Sequence, residues 1–277
     1  MKKGFAIGSA IATKAFLALA AVSVLSAGLV SCSKKGGSDS QDNSLSNVKS
    51  RNAFVIGLDD SFPPMGYRNE NNEIVGFDVD LAREAAKRMS VGFKAQAIDW
   101  DAKEMEIASG NIDCIWNGFT ITDERKKNLL FSDPYLNNEQ VFLVMESSGI
   151  RSEAQLTGKK IGMQTGSSGA ESYANSSLKG KNIAVEYKDF LIAIMDLRTG
   201  GIDALVIDSI VAGAQLRESG VSDELMIIKS SQLPAEQFGV GFRKGDKALR
   251  DEVQRHLDEM RKDGTFAKLA EKYEMII

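Results

Sequence analysis

Histidine, cysteine and proline are scarce in this chain of 277 residues, and their scarcity narrows the possible functions. The chain has one histidine, two cysteines and four prolines. No cluster of metal ligands, no Ser/His/Asp set and no phosphate-binding Gly–Lys motif is recognisable. The sequence therefore gives no support to a metal centre or to hydrolytic catalysis, and we expect no cofactor.

Acidic residues are absent before Asp39, and this segment begins with basic residues that an apolar stretch follows. Lys2 and Lys3 precede an apolar stretch at 15–30, which is typical of a secretory signal and must be set apart from the fold. A retained membrane helix is the alternative, although the stretch is near the lower limit for a span. Leu29-Val30-Ser31-Cys32 resembles a bacterial lipobox. We therefore predict a signal peptide at 1–31 and lipidation of Cys32.

The segment 32–50 is rich in Ser, Gly, Asn and Asp, so we expect a flexible tether between a lipid anchor and a folded domain. With Cys32 lipidated, Cys114 has no partner for a disulfide within the chain and is expected to be a buried small side chain. Removing residues 1–31 takes away three lysines and no acid, which moves the net charge from −4 to −7. Nucleic acid is therefore not expected as a partner.

Two sets of alternating strands and helices follow, which favours an α/β fold with parallel sheets. The first set comprises strands at 53–58, 93–97 and 112–116 and helices at 78–90, 101–109 and 123–128. The second comprises strands at 159–163, 183–186 and 202–206 and helices at 169–177, 189–199 and 208–218. Extended segments are predicted at 139–145 and 237–242, and two further helices at 246–262 and 265–275.

The repeated pattern predicts two lobes, and prolines mark where the chain crosses between them. We assign 51–135 and 239–277 to lobe I and 140–234 to lobe II. The crossings are placed at 135–139 and 234–238, beside Pro134 and Pro234, although both prolines could equally be ordinary turn residues. Two extended crossings would form a hinge, and hinge closure around a ligand is a recurrent mechanism.

Five motifs give the chain, from Phe54 onwards, a resemblance to one family. They are 59–65 (DDSFPPM), 76–81 (GFDVDL), 120–125 (TITDER), 131–135 (FSDPY) and 263–266 (DGTF). Together they resemble the polar-amino-acid family of periplasmic solute-binding proteins that serve ABC importers (bacterial extracellular solute-binding proteins, family 3), here in lipoprotein form. The resemblance implies a two-lobed type II periplasmic-binding-protein fold in which each lobe is an α/β sandwich.

The resemblance also implies a function. The protein would be a monomeric, non-enzymatic binding protein, held at the periplasmic or cell-surface side of a membrane. It would deliver a free polar or basic amino acid to an ABC permease and its ATPase. Two alternatives stay open: a sensor that signals on binding an amino acid, and a dehydratase on the same fold.

A free amino acid presents a carboxylate, an ammonium and a side chain, and the first two have candidate partners. Arg125 follows a predicted helix cap at Thr122, and its guanidinium matches a carboxylate bidentately; a surface arginine is the alternative. The resemblance assigns the ligand's α-groups to Thr120 and to the carbonyl of Gly118 as well.

From lobe II, the resemblance adds Ser167 or Ser168 to the carboxylate contacts, in a loop at a helix N-terminus. It also assigns the ammonium to Asp208, which could equally be a helix cap.

The side-chain pocket matches the family at Asp59, Phe62, Trp100 and Gln164, while Asn117 stands where the family has a small residue. Phe62 and Trp100 would flank the ligand, since aromatic faces accept an aliphatic stem, an amide or a cation. Asp59 suits an amide or a basic group equally. Glutamine, cystine, arginine, lysine and histidine therefore all remain possible ligands. Trp116, in contrast, is expected in the core.

Overall fold

The computed structural model describes residues 42–217 and 223–275, which form two α/β lobes. The predicted signal peptide, the lipobox with Cys32 and the first part of the predicted tether lie outside the described residues. Within the described ranges, none of the helices has the length and apolar character needed to cross a membrane.

Helices and strands alternate along most of the chain. The first part contains α1 (Ser44–Ser50), β1 (Ala53–Leu58), β2 (Ser61–Phe62), β3 (Gly66–Arg68), β4 (Ile74–Val75), α2 (Phe77–Arg88), β5 (Gly92–Ala97), α3 (Lys103–Ser109), β6 (Cys114–Ile115), α4 (Asp123–Asn128) and β7 (Leu129–Phe131). The second contains β8 (Leu136–Met145), β9 (Lys160–Gln164), α5 (Ser168–Asn175), β10 (Ile183–Tyr187), α6 (Phe190–Thr199), β11 (Ala204–Asp208), α7 (Ser209–Arg217) and β12 (Leu225–Lys229). The chain then adds β13 (Ala235–Phe238), β14 (Gly241–Arg243), α8 (Lys247–Lys262) and α9 (Thr265–Lys272).

Lobe I is built on a sheet with the strand order β5-β1-β6-β14-β7. β1 lies parallel to β5 and β6, whereas β14 runs antiparallel to its neighbours. α2 covers the sheet with an apolar stripe, and Phe77, Leu81 and Ala85 on that stripe are fully buried because they recur every four residues. A small sheet of β2, β3 and β4 lies beside it and was not predicted from the sequence.

Lobe II is built on a sheet with the strand order β10-β9-β11-β8-β12. β9 lies parallel to β10 and β11, while β8 runs antiparallel to β11 and β12. Every residue of β11 is buried, as expected for the central strand of a sheet that helices cover. β7 and β12 are the other strands that the sequence analysis did not find.

The two segments predicted as crossings pair with each other. β13 lies antiparallel to the first half of β8, from Ala235 opposite Glu139 to Phe238 opposite Leu136. The extended segment predicted at 237–242 is interrupted after Phe238 and resumes as β14 in the sheet of lobe I. We call residues 136–139 and 235–238 the crossing ribbon. Its role as a hinge stays a prediction.

The predicted tether is wrong for residues 44–50, which form α1. Val48 in α1 is only 1% exposed, and Leu45, three residues earlier, packs against the same core. The Ser44 hydroxyl oxygen accepts a hydrogen bond from the Leu249 backbone N–H of α8 at 3.1 Å. Two apolar residues on one helical face are therefore enough to dock this polar segment.

The predicted burial of Cys114 and Trp116 is confirmed, since both are fully buried.

Candidate ligand-binding site

The site lies where the carboxyl ends of the parallel strands of both sheets face each other. In open α/β sheets, ligands bind in the crevice outside these strand ends. Asp59 follows β1, Trp100 follows β5, and the segment from Asn117 to Thr120 follows β6. Gln164 and Asp208 are the last residues of β9 and β11.

A narrow cavity between the two lobes brings these side chains together. All eleven residues predicted for ligand binding line it, together with one residue that was not predicted. The lining residues are Asp59, Phe62, Trp100, Asn117, Gly118, Thr120, Arg125, Gln164, Ser167, Ser168, Phe190 and Asp208.

Arg125 is fixed at the start of α4 by local capping. The Thr122 side chain accepts a hydrogen bond from the Arg125 backbone N–H at 3.1 Å, which confirms the predicted cap. The guanidinium lies 4.5 Å above the Phe119 ring and donates to the Thr120 carbonyl at 2.8 Å and to the Gly166 carbonyl at 3.4 Å. Arg125 is only 6% exposed, so it is not the surface arginine of the alternative interpretation.

The burial of Arg125 has an electrostatic consequence. Burial lowers the pKa of this guanidinium, while the carboxylates around it act in the opposite direction. An anionic partner strongly stabilises a buried guanidinium, because its hydrogen bonds and charge replace the water that the group lost on burial. Arg125 can therefore bind a carboxylate in this cavity.

Ser167 and Ser168 approach from lobe II at the N-terminus of α5. Ser167 caps the helix, since its hydroxyl oxygen accepts from the Ala170 backbone N–H at 3.0 Å. The Ser168 hydroxyl lies 3.0 Å from the Thr120 hydroxyl, so the two side chains connect the lobes directly. Either hydroxyl can donate a hydrogen bond to an anion in the cavity.

Asp208 is held at the end of β11 by two amide side chains of β8. Asn138 Nδ2 donates to Asp208 Oδ1 at 2.6 Å, and Gln140 Nε2 donates to the same oxygen at 2.8 Å. Burial, together with the nearby carboxylate of Glu236, raises the pKa of Asp208 to about 8. A buried carboxylate of this kind is stabilised in its charged form by a cation such as an ammonium group.

A second carboxylate, Asp59, lies on the lobe I wall. Its Oδ1 accepts from the backbone N–H and the hydroxyl of Ser61, at 2.9 and 2.5 Å, and its Oδ2 accepts from Gln164 Nε2 across the cleft at 2.5 Å. Burial raises the pKa of Asp59, although these hydrogen bonds act against the shift. Asn117 accepts from the Asp59 backbone N–H at 3.1 Å. Its Nδ2 has no hydrogen-bond partner among the residues that the structure describes.

Aromatic rings form the apolar walls. Phe62 of lobe I and Phe190 of lobe II have ring centroids 5.5 Å apart, and Trp100 packs edge-on against Phe119 at 5.7 Å. Phe190 was missed in the sequence analysis. Its position shortly after β10, at a parallel strand end like the other site residues, was the available signal.

Lys103 was also missed, because it occupies an ordinary position in a short amphipathic helix. It is 5% exposed, and its ammonium donates to the Gly166 carbonyl at 2.9 Å and to the Trp100 carbonyl at 3.1 Å. Burial, and next the charge of Arg125, lower the pKa of Lys103 to about 8. Lys103 thus lies behind the cavity wall and adds a positive charge there.

Residues 42–217 and 223–275 contain no arrangement of side chains that would support metal binding. No group of three or more His, Cys, Asp or Glu side chains there is placed to hold an ion.

Comparison with known proteins shows which family shares these features. Residues 54–275 match the bacterial extracellular solute-binding proteins, family 3. The L-cystine-binding protein TcyJ of Escherichia coli (strain K12) is 30% identical over 231 residues, which cover 83% of this chain and 85% of TcyJ. The lysine/arginine/ornithine-binding periplasmic protein of the same strain is 32% identical over 224 residues, which cover 79% and 86% of the two chains.

Solved structures give the same result. The substrate-binding protein of an ABC uptake transporter from Streptococcus pneumoniae, solved with bound histidine, has a TM-score of 0.81 and 37% identity. The match covers 84% of this chain and 96% of that one. The predicted type II periplasmic-binding-protein fold is confirmed by this similarity, and these three relatives are named as binding proteins rather than enzymes. The chain belongs to the bacterial extracellular solute-binding proteins, family 3.

Proposed function

We propose that the protein binds one free polar or basic amino acid between two closing lobes outside the cytoplasm and delivers it to an ABC-type importer. The observation that supports this most is the pairing of opposite charges in one cavity. Arg125 can bind the α-carboxylate, with hydroxyl groups of Thr120 and Ser168 beside it, while Asp208 can bind the α-ammonium. A ligand that contacts both lobes favours the closed form by its differential affinity.

The distribution of charge around the cavity favours a cationic side chain. Once a ligand ammonium is bound at Asp208, Arg125 and Lys103 supply two cations in and behind the wall, whereas Asp59, Asp208 and Glu236 supply three carboxylates. A zwitterion without a charged side chain adds no net charge, so the cavity keeps one carboxylate more than it has cations. A basic side chain beside Asp59, flanked by the aromatic rings, would offset the additional carboxylate. The relatives include proteins named for lysine, arginine, ornithine and cystine, and one was solved with bound histidine, so cystine and histidine are the main competitors.

The experiment is a thermal unfolding series of the purified protein against the twenty common amino acids, ornithine and cystine, after copurified ligand has been removed by unfolding and refolding. A ligand that binds only the folded state raises the midpoint by mass action. We expect the largest rise with a basic amino acid. No rise with any compound would contradict the proposal.

We further propose that the protein acts without catalysis, as a monomer, and is anchored at the membrane by lipid on Cys32. The anchor is supported by the lipobox-like sequence Leu29-Val30-Ser31-Cys32 alone. Mass spectrometry of the protein purified from membranes tests it. A mature N-terminus at Cys32 with added acyl mass is expected, and an unmodified Cys32 within a longer chain would contradict it.

A further inference from the structure

Glu236 is a buried carboxylate on the crossing ribbon that the sequence analysis did not select. It belongs to β13 and is 9% exposed. Its Oε2 accepts hydrogen bonds from four side chains: Thr120 Oγ1 at 3.0 Å, Gln140 Nε2 at 3.0 Å, Ser168 Oγ at 3.2 Å and Asn138 Nδ2 at 3.3 Å. One oxygen therefore contacts donors from lobe I, from lobe II and from the strand that connects them.

The same amides connect Glu236 to Asp208. Asn138 and Gln140 each donate to both carboxylates through a single NH₂ group. Two carboxylates that share buried donors interact strongly, and the second one resists ionisation. Glu236 is, after burial, the cause that raises the pKa of Asp208 to about 8.

The other charges near this pair come from two helices. β8 contributes only the neutral side chains Asn138 and Gln140, and α5 contributes the neutral Ser168 to the hydrogen bonds. The charged groups of α4 and α5 that line the cavity or the adjoining cleft beside Glu236 are Arg125, Asp123, Lys126 and Glu171. Arg125 is the only one of these four that is buried.

We propose that Glu236 is a positioning residue for amino-acid binding, which holds Thr120 and Ser168 together across the cleft and makes Asp208 release a proton when a ligand ammonium binds. The inference rests on the proposed function. Because the hydroxyls of Thr120 and Ser168 both donate to Glu236, its carboxylate favours the arrangement in which these two side chains, one from each lobe, meet across the cleft. An ammonium beside Asp208 replaces the proton of the carboxylate pair, and that proton passes to the solvent.

The direction of the pH dependence follows from the raised pKa. Below about pH 8, Asp208 holds a proton that the bound ammonium must displace, so binding is weakened as the pH falls. For one released proton, the affinity should increase about tenfold per pH unit as the pH rises from 6 towards 8, and then level off.

The test is isothermal titration calorimetry of the full protein with L-arginine and L-glutamine as probes. The L-arginine side chain stays charged throughout this pH range, so it contributes no titration of its own. At pH 7, titrations in two buffers with different ionisation enthalpies count the protons that are released. We expect close to one proton per ligand at pH 7, and affinities that rise about tenfold per pH unit between pH 6 and 8 before levelling off.

Glu236→Gln and Glu139→Gln are the matched pair of variants. Both lie on the crossing ribbon, but Glu139 is half-buried and pairs with Lys229 at 2.6 Å, away from the cavity. Glu236→Gln should release fewer protons at pH 7 than the wild type and move the rise in affinity to lower pH, because only burial then raises the pKa of Asp208. At pH 8.5 it should bind about tenfold more weakly, since a charged acceptor of four hydrogen bonds is lost. Glu139→Gln should match the wild type.

The outcomes separate this inference from the proposed function. Binding by the wild type without proton release, or a Glu236→Gln variant that keeps the wild-type pH slope, overturns the inference and leaves the proposed function intact. The absence of binding for both probes and for every amino acid of the thermal series overturns the two together. The proton count needs only the wild type, so a folding defect in the variant cannot hide the result.

Discussion

Replacing Arg125 with alanine should cause the largest loss of affinity among single changes in the site. The guanidinium is 6% exposed and is held by the Thr120 and Gly166 carbonyls and by the Phe119 ring. Removing one partner of a buried, hydrogen-bonded charge pair costs about 2–5 kcal/mol, because the other charge stays buried without a partner. The dissociation constant should therefore rise roughly 30-fold to 4,000-fold.

Calorimetric titration of the purified protein with its amino acid measures this change. Lys126→Ala is the control, since Lys126 is the next residue of α4 and its side chain is 55% exposed beside Asp123. It should leave the affinity nearly unchanged. Arg125→Lys should give an intermediate loss, because an ammonium keeps the charge without the planar fork. An Arg125→Ala variant that folds and binds as tightly as the wild type would refute the assignment.

Three further changes test other parts of the structure. Phe190→Ala removes the lobe II partner of Phe62 and should weaken binding by about fivefold in the same titration, since aromatic pairs contribute about 1 kcal/mol beyond their buried area. Val48→Ala should lower the free energy of unfolding in urea by about 1.5 kcal/mol, the cost of two buried methyl groups. Burial raises the pKa of Asp78 to about 7. The free energy of unfolding should therefore fall as the pH rises from about 4 to about 7, and Asp78→Asn should make this fall smaller in thermal melts.

The changes at Phe190 and Asp78 each have a control on the protein surface. Leu191→Ala lies next to Phe190 but is 45% exposed, and it should not weaken binding. Asp251→Asn, at a half-exposed side chain of α8, should keep the wild-type dependence of stability on pH. Equal effects in a variant and its control would contradict the corresponding prediction. For Val48, unchanged stability would show that α1 does not contribute to the fold.

The elements with strong local signals could be predicted from the sequence. α4 occurs at the predicted residues 123–128, because Thr122 caps it and the charged residues that follow favour a helix. β1 likewise matches its prediction at 53–58. The candidate site residues were named from motifs that match the family, and the fold brings all of them to one cavity because the alternation of strands and helices places the strand ends on one side of each sheet.

The features that were missed depend on contacts between distant segments. α1 is stable because Val48 meets α8, roughly two hundred residues later, and its own composition is polar. Glu236 and Lys103 are near the cavity only because the crossing ribbon and the lobe II loops approach it. Local periodicity contains no information about such pairings. Short strands such as β2 and β4, with two residues each, have no periodicity to detect.

The most direct test of the central claim is a titration of ligand-stripped wild-type protein with the amino acid that gives the largest thermal shift. We expect a saturable binding curve with one amino acid per chain, and a dissociation constant at least about 30-fold higher when Arg125 or Asp208 is replaced by alanine. Binding at wild-type affinity after either replacement, or the absence of binding for every amino acid, would contradict the claim that this cavity is an amino-acid site.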